Sequence, residues 1–499
     1  MTQILLCGLY TALFIFIIYK FAFFRLPGIS RTNTLLLFFL KIVCTTIVWK
    51  LFLKFYPVTD SSKFLFESQI LYNAFFEHTS AFFKLLFGLG DDPEMQAIRA
   101  KMIVWNKTEG SFLIVDTRTM IRLYAVLRFF SFGYFYVQAV IMCFLSFIGL
   151  VYFYKTFFPY FRNASIVLII ACFLLPSVVF WTSTVLKEGV LFLGIGLMLY
   201  HCQCGLRRYY TLKNMLGLVL GATMLIFIKF YVFIAMLPAL LANFWIANSN
   251  HKRVVLKYSV VYVFFLTFLL TARFISPSLD FARVLKKKQT DFLNIARGGM
   301  VIYHDTCLVY LDYDVREARL QLVAPNTYKL KKGYKYASFK YGKTDTVWID
   351  ASDTSKFTGY FMMVPARSAF PIHEIKPDMI DVLKNAPWAL MNGLIMPPLF
   401  EMNKAFSGFI LVENLLILSC LLGSFFFLKK RIPLAVILFC ASFIAILFVL
   451  IGLTTPVLGA LVRYRIPGIP FLILIIGLLA DEMKIKQVIF KVKQRLFKG

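Results

Sequence analysis

The chain has 499 residues, of which 60% are hydrophobic and 17% aromatic, and only 16% are charged. Soluble domains carry about 45–50% apolar and about 25% charged residues, so a soluble globular fold is excluded, and the apolar content excludes disorder. Lys and Arg number 54 against 25 Asp and Glu, a net charge of +29. The positions of those cations decide whether they signal nucleic acid, anionic lipid or membrane topology.

A helix crosses the hydrocarbon with about 17–25 mostly apolar residues, fewer where it is broken or shielded. Taken in chain order, the qualifying runs lie near 3–19, 34–55, 133–153, 164–181, 189–204, 215–228, 231–247, 258–275, 408–428, 432–451 and 466–480. The expected fold is an α-helical polytopic membrane protein of about eleven transmembrane helices. The first run leads into Tyr19-Lys20 with no small-residue cleavage site, which predicts a retained anchor. Within 215–247, Lys229 and Pro238 predict two short helices meeting at Lys229-Phe230-Tyr231 rather than one long helix.

Short basic loops alternate along these runs. They are Lys20/Arg25/Arg31, Lys155/Arg162, Arg207/Arg208/Lys213, Lys252/Arg253/Lys257, Lys429/Lys430/Arg431 and the tail from Lys484. Twenty of the 54 basic residues fall there, with only Asp481 and Glu482 as acids. The positive-inside rule then places the N-terminus outside and the C-terminus in the cytoplasm, in a plasma (inner) membrane. The charge excess is chiefly a topology signal, and nucleic acid is not an expected partner. Membrane lipids are.

Division by composition gives N-terminal membrane helices at 1–55, a first extracytoplasmic segment at 56–132 and central membrane helices at 133–275. A second extracytoplasmic segment covers 276–407, with C-terminal membrane helices at 408–480 and a basic tail at 481–499. In the first extracytoplasmic segment, the phenylalanine-rich stretch Ala74–Leu89 suits a helix lying at the membrane interface. In the second, the period drops to two between 300 and 365, which predicts a small β-rich insertion. The tail places Ile485, Val488, Ile489, Val492 and Leu496 on one helical face with Lys and Arg opposite, as in an amphipathic helix on an anionic leaflet.

Charges at or inside membrane helices need a partner, water or a ligand. The outer boundary collects Asp60 and Glu67 after the second run, Lys187 and Glu188 in a short loop, Lys229 at its break, and Arg463 and Arg465 before the last run. Singly, each has a structural reading. Asp60 is a possible helix N-cap, Lys187-Glu188 a locally balanced helix end, Lys229 a cap on a kinked helix, and Arg463 and Arg465 snorkelling cations. Jointly, cations with carboxylates at one depth suit a lipid-linked phosphate, with a carboxylate left to handle a proton. His201-Cys202-Gln203-Cys204 and the His304/Asp305/Cys307 group lack a second ligand cluster or triad partner, so neither predicts a metal or nucleophile site.

Three stretches carry a family resemblance. Tyr56-Pro57-Val58-Thr59-Asp60, Pro176–Tyr200 with Phe180-Trp181 and Lys187-Glu188, and Arg463-Tyr464-Arg465-Ile466-Pro467 together resemble motifs of the GT-C class of integral-membrane glycosyltransferases. The similar layouts are the protein-mannosyltransferase-like and lipid A aminoarabinose-transferase-like members. Here one helix more precedes the aspartate motif, and Asp60-Ser61 stands where the class usually has an acidic pair. The resemblance implies a polyprenyl-phosphate-linked sugar donor and a glycan, lipid or protein acceptor. It implies Asp60, with Glu67, as catalytic carboxylates. Lys187, Lys229, Arg463 and Arg465 would bind the substrate phosphate, and Glu188 would position the sugar. No motif fixes a cofactor or divalent metal. The alternatives are a lipid-linked glycan flippase, transporter or polymerase, and a non-catalytic envelope assembly protein.

Overall fold

The computed structural model describes all residues except 56–59, 91, 107–115, 209–210, 250–251, 305–306, 315, 317–319, 331–333, 341–342, 350–356, 397–404, 486 and 488–499. Among the described residues, eight helices are long and apolar enough to cross a membrane, and two bent pairs raise the number to ten. The pairs are Ser165–Leu174 with Pro176–Thr182, bent by 44°, and Leu458–Tyr464 with Ile469–Leu479, bent by 57°. The chain is a multi-pass α-helical membrane protein. Its exposed surface carries large apolar side chains such as Leu216, Val263, Phe264 and Phe274, while Phe38, Phe147, Phe153, Phe173 and Phe192 fill the interior. That arrangement is stable where lipid, rather than water, solvates the outside.

The count falls below eleven because Leu212–Ala247 is counted there as one span of 36 residues, although it is two helices meeting at a kink. Lys229 leaves the helical region at that point, at φ −151° and ψ 81°, where the sequence predicts the break. The tips of its two arms also sit at the same end of the bundle. The first arm packs Gly217 and Asn214 against His201. The second packs Ala242 and Ile246 with Tyr258, Ala435 and Leu438.

The basic loops likewise meet at that end. Tyr154 donates to Pro27 O at 2.7 Å, tying the first loop to the second. The Tyr152 ring lies 5.5 Å from His201, bringing in the third. Tyr258 donates to Ala435 O at 3.2 Å, joining the fourth to the fifth. Lys429 donates to Gly477 O at 2.8 Å, and Phe161 packs beside the same Gly477. The start of the tail closes the set through Lys484, which donates to Leu428 O at 2.8 Å. Most of the predicted amphipathic tail lies outside the described residues.

Helices Phe135–Phe157 and Lys187–Arg208 pack backbone to backbone through glycine. A Cβ at Gly196 would stand 2.1 Å from Gly149 O, and one at Gly149 would stand 2.5 Å from the Leu193 backbone. Small residues permit such contacts, and dispersion then holds helices that gain no hydrophobic drive from lipid. This pair is the wall on which Lys187 and Glu188 are mounted.

The opposite end carries the extramembrane structure. The phenylalanine-rich stretch forms two helices, Asp60–Glu77 and Thr79–Phe87, broken at His78. There Phe75, Phe76, Phe82, Phe83 and Phe129 pack edge to face. The β insertion is a seven-stranded antiparallel sheet of β1 (Met300–His304), β2 (Cys307–Leu311), β3 (Leu320–Ala324), β4 (Thr327–Leu330), β5 (Tyr334–Lys340), β6 (Lys343–Ile349) and β7 (Phe357–Met362). Its order is β3-β4-β7-β1-β2-β5-β6. An amphipathic helix, Phe281–Arg297, connects the sheet to the bundle. Its Gln289 donates to Leu453 O at 2.7 Å, its Asn294 donates to Asp312 Oδ1 at 2.7 Å, and its Phe292 ring lies 5.7 Å from Tyr464.

Candidate functional site

The bent and unwound segments converge at the end away from the basic loops. Between helices Pro176–Thr182 and Lys187–Arg208, residues Ser183 to Leu186 run without helical structure yet fully inside the protein. Buried backbone there must be satisfied by neighbours. Lys41, in the middle of the second span, donates to Thr182 Oγ1 at 2.6 Å and to Thr182 O at 3.3 Å. Ser61 Oγ donates to Val185 O at 2.7 Å and so fixes the start of helix Asp60–Glu77 beside this segment. The break at Lys229 brings a third strand of chain to the same place, and helix Leu458–Tyr464 brings a fourth.

These four segments assemble one charge network. Arg463 donates through Nη1 to Asp60 Oδ2 at 2.7 Å and through Nε to Glu188 Oε1 at 2.8 Å. Lys229 Nζ donates to the same Glu188 Oε1 at 2.9 Å. Lys187 Nζ donates to Asp116 Oδ2 at 2.6 Å. Burial is graded: the side chains of Glu188 and Lys229 are 0% and 3% exposed, Lys187 and Arg463 are 10% and 12%, and Asp60 and Asp116 are 46% and 47%. Two half-open aspartates thus stand at the mouth of a recess, with cations behind them and a buried ion pair at its floor.

Aromatic rings flank the cations. Lys229 Nζ lies 4.4 Å from the Tyr464 ring centroid, Lys187 Nζ lies 5.1 Å from Phe64, and the Arg463 guanidinium lies 5.7 Å from Trp181. Such faces stabilise cations that have lost water. Burial alone would raise both aspartates. Arg463 and Lys187 outweigh it at Asp60, and Lys187 and Lys229 outweigh it at Asp116, so each carboxyl is held below the usual 3.8. Both are therefore carboxylates at neutral pH, available to accept a proton or a hydrogen bond.

Of the residues singled out from sequence, Asp60, Glu188, Lys229 and Arg463 share one hydrogen-bonded network, and Lys187 forms a separate pair with Asp116, within electrostatic reach of Asp60. Two join neither. Glu67 is buried and accepts from the backbone N–H groups of Val104 and Trp105, the latter at 2.8 Å, at the start of the short helix Ile103–Asn106. Its carboxylate satisfies orphan helix donors. Arg465 points away from Arg463 and donates to Met396 O at 2.7 Å and Asn414 Oδ1 at 2.6 Å. Alternate residues on one turn of chain cannot face the same way.

Asp116 escaped the sequence reading. The available signal was its place as a carboxylate opening a helix away from the basic loops, the same property that marked Asp60. Lys41 was visible as a cation inside a span. Glu413 was visible in the same way, and it accepts from Ser177 N at 3.0 Å and Ser177 Oγ at 2.5 Å. Beside Trp181 lies an apolar cavity lined by Leu51, Ser177, Phe180, Phe409 and Ile410.

His201 Nδ1 lies 3.1 Å from Asn214 Oδ1. Asp305 and the side chains of His304 and Cys307 lie outside the described residues. Among the described residues, no group of three or more His, Cys, Asp or Glu is disposed to hold a metal ion. No protein-family model matches the chain, and no curated protein or solved structure matches it either.

Proposed function

We propose that the protein is an integral-membrane glycosyltransferase that moves a sugar from a polyprenyl-phosphate donor to an acceptor on the extracytoplasmic face. The observation that carries this reading is Asp60, a half-open carboxylate held ionised by Arg463 at the end of the bundle opposite the basic loops. Asp60 accepts the proton of an acceptor hydroxyl as that oxygen bonds to the anomeric carbon. The bond from that carbon to the phosphate oxygen breaks, and polyprenyl phosphate leaves with the electron pair. Arg463 and Lys187 face the developing phosphate charge from a recess poor in water, where fixed cations act strongly.

Two further features support a lipid-linked donor. The apolar cavity beside Trp181 gives a prenyl chain an apolar neighbour next to the Arg463 contact. Helix Phe281–Arg297 touches Tyr464 through Phe292, which puts the β insertion within reach of an acceptor entering at the mouth. The test is transfer from polyprenyl-phosphoryl sugars by the purified protein. Asp60→Asn is expected to lose about 10²-fold or more of that activity while remaining a folded, monodisperse protein. Full activity of this variant ends the assignment.

A further inference from the structure

The floor of the recess holds hydrogen-bonding groups that the ion pairs do not use. Lys229 and Arg463 both donate to Glu188 Oε1, and Oε2 of the same carboxylate is buried without a hydrogen-bond partner. Two phenols share its surroundings, and their buried hydroxyls are also unpartnered. Tyr124 is completely buried on helix Asp116–Ser131, with its ring 6.3 Å from Phe64, the ring that also meets Lys187. Glu188, Arg463 and Asp60 are within its electrostatic reach. Tyr231 follows the break at Lys229, with its ring 5.9 Å from Lys229 Nζ and 6.4 Å from the Tyr464 ring. Glu188, Asp116 and Arg463 are the charges within reach of its hydroxyl.

An unpartnered buried polar atom costs stability, and three of them on residues packed about one charge network point to a ligand that completes them. The chemistry of the set selects among ligands. A phosphate group brings acceptor oxygens and negative charge, and it would meet the carboxylate of Glu188 with like sign. A sugar hydroxyl both donates and accepts. Adjacent hydroxyls can donate to Glu188 Oε2 and accept from the tyrosine Oη–H groups.

We propose that Tyr124, Tyr231 and Glu188 Oε2 form a subsite for the hydroxyl groups of an uncharged sugar, with the lipid phosphate left to Arg463 and Lys187 nearer the mouth. The assignment rests on the transferase reading above and adds the floor of the site to it. Sites built to bond a hydroxyl discriminate strongly against ligands that lack it.

The test uses the full chain in lipid nanodiscs, titrated with bare decaprenyl phosphate and with a panel of decaprenyl-phosphoryl hexoses and pentoses. At least one sugar-bearing lipid is expected to bind roughly tenfold tighter than the bare phosphate. Tyr124→Phe and Tyr231→Phe should each remove roughly fivefold or more of that gain, with bare-lipid affinity unchanged. Their unfolding midpoints should equal or exceed the parent's, because each loses an unpartnered hydroxyl and keeps its ring. If the variants keep the whole gain, or weaken the bare lipid equally, the subsite is overturned while the transferase reading stands. If sugar-bearing lipids never bind better than the bare phosphate, the subsite is again overturned. If neither lipid binds at all, the transferase reading falls, and the subsite with it.

Discussion

Replacing Glu188 by Gln tests the network where it is most deeply buried. Glu188 is inaccessible to solvent and is the acceptor for both Lys229 and Arg463. The two cations respond differently to its loss. Arg463 keeps Asp60 at 2.7 Å, and Asp60 is half-open, so that side of the network retains its charge balance. Lys229, with a side chain 3% exposed, loses its hydrogen-bonded carboxylate and keeps the faces of Tyr464 and Tyr231 and the more distant charge of Asp116. Breaking a buried pair by deleting one partner costs about 3–5 kcal/mol. The ring faces hold Lys229 in the parent as well and offset none of this, so the expected loss is about 3–5 kcal/mol. Deleting both partners in Glu188→Gln/Lys229→Met removes the stranded ammonium and should recover most of it. Titrated unfolding in mixed micelles, followed by tryptophan fluorescence on the four proteins of the cycle, reads the coupling directly. A coupling energy of about 2 kcal/mol or more is expected. A double variant no more stable than Glu188→Gln alone would refute the claim that Lys229 depends on this carboxylate.

The pH dependence follows from the sign of the aspartate shifts. Asp60 and Asp116 are both depressed in the fold, so their contribution is complete above the usual 3.8 and is lost as pH falls below it. Unfolding midpoints should be flat from about pH 8 to about pH 5 and fall below about pH 4, with a shallower acid limb in Asp60→Asn/Asp116→Asn; an unchanged acid limb in that variant would show that neither carboxylate gains from its partner. For topology, single cysteines at Arg25 and Lys430 in a cysteine-free background should resist an impermeant maleimide in intact cells, while one at Lys287 should react. Labelling at Arg25 from outside would reverse the orientation.

Much of the bundle was legible because a membrane makes local sequence decisive. Every backbone group in hydrocarbon must bond within its own segment, so an apolar run of sufficient length declares itself as a helix without reference to the rest of the chain. Lys229 declared the break in Leu212–Ala247 for the same reason, since a cation in that run needs a partner. The alternating basic loops also belong at one end on sequence grounds, because each crossing changes sides. The span number depends on whether Leu212–Ala247 is counted as one crossing or as the two helices that meet at Lys229.

The membership of the site was a different matter. Arg463 meets Glu188 across 275 residues and Asp60 across 403, and nothing local to any of them specifies those meetings. Asp116 entered the site, and Glu67 and Arg465 were left out, through the packing of helices far apart in the chain. Arg465 is two residues from Arg463, yet it faces another helix. Sequence by itself determined that this protein spans a membrane, where its helices lie and which charges are candidates to meet at one boundary of it. Only the tertiary structure decided which of those charges share a recess, because a side chain's direction is set by the neighbours it packs against.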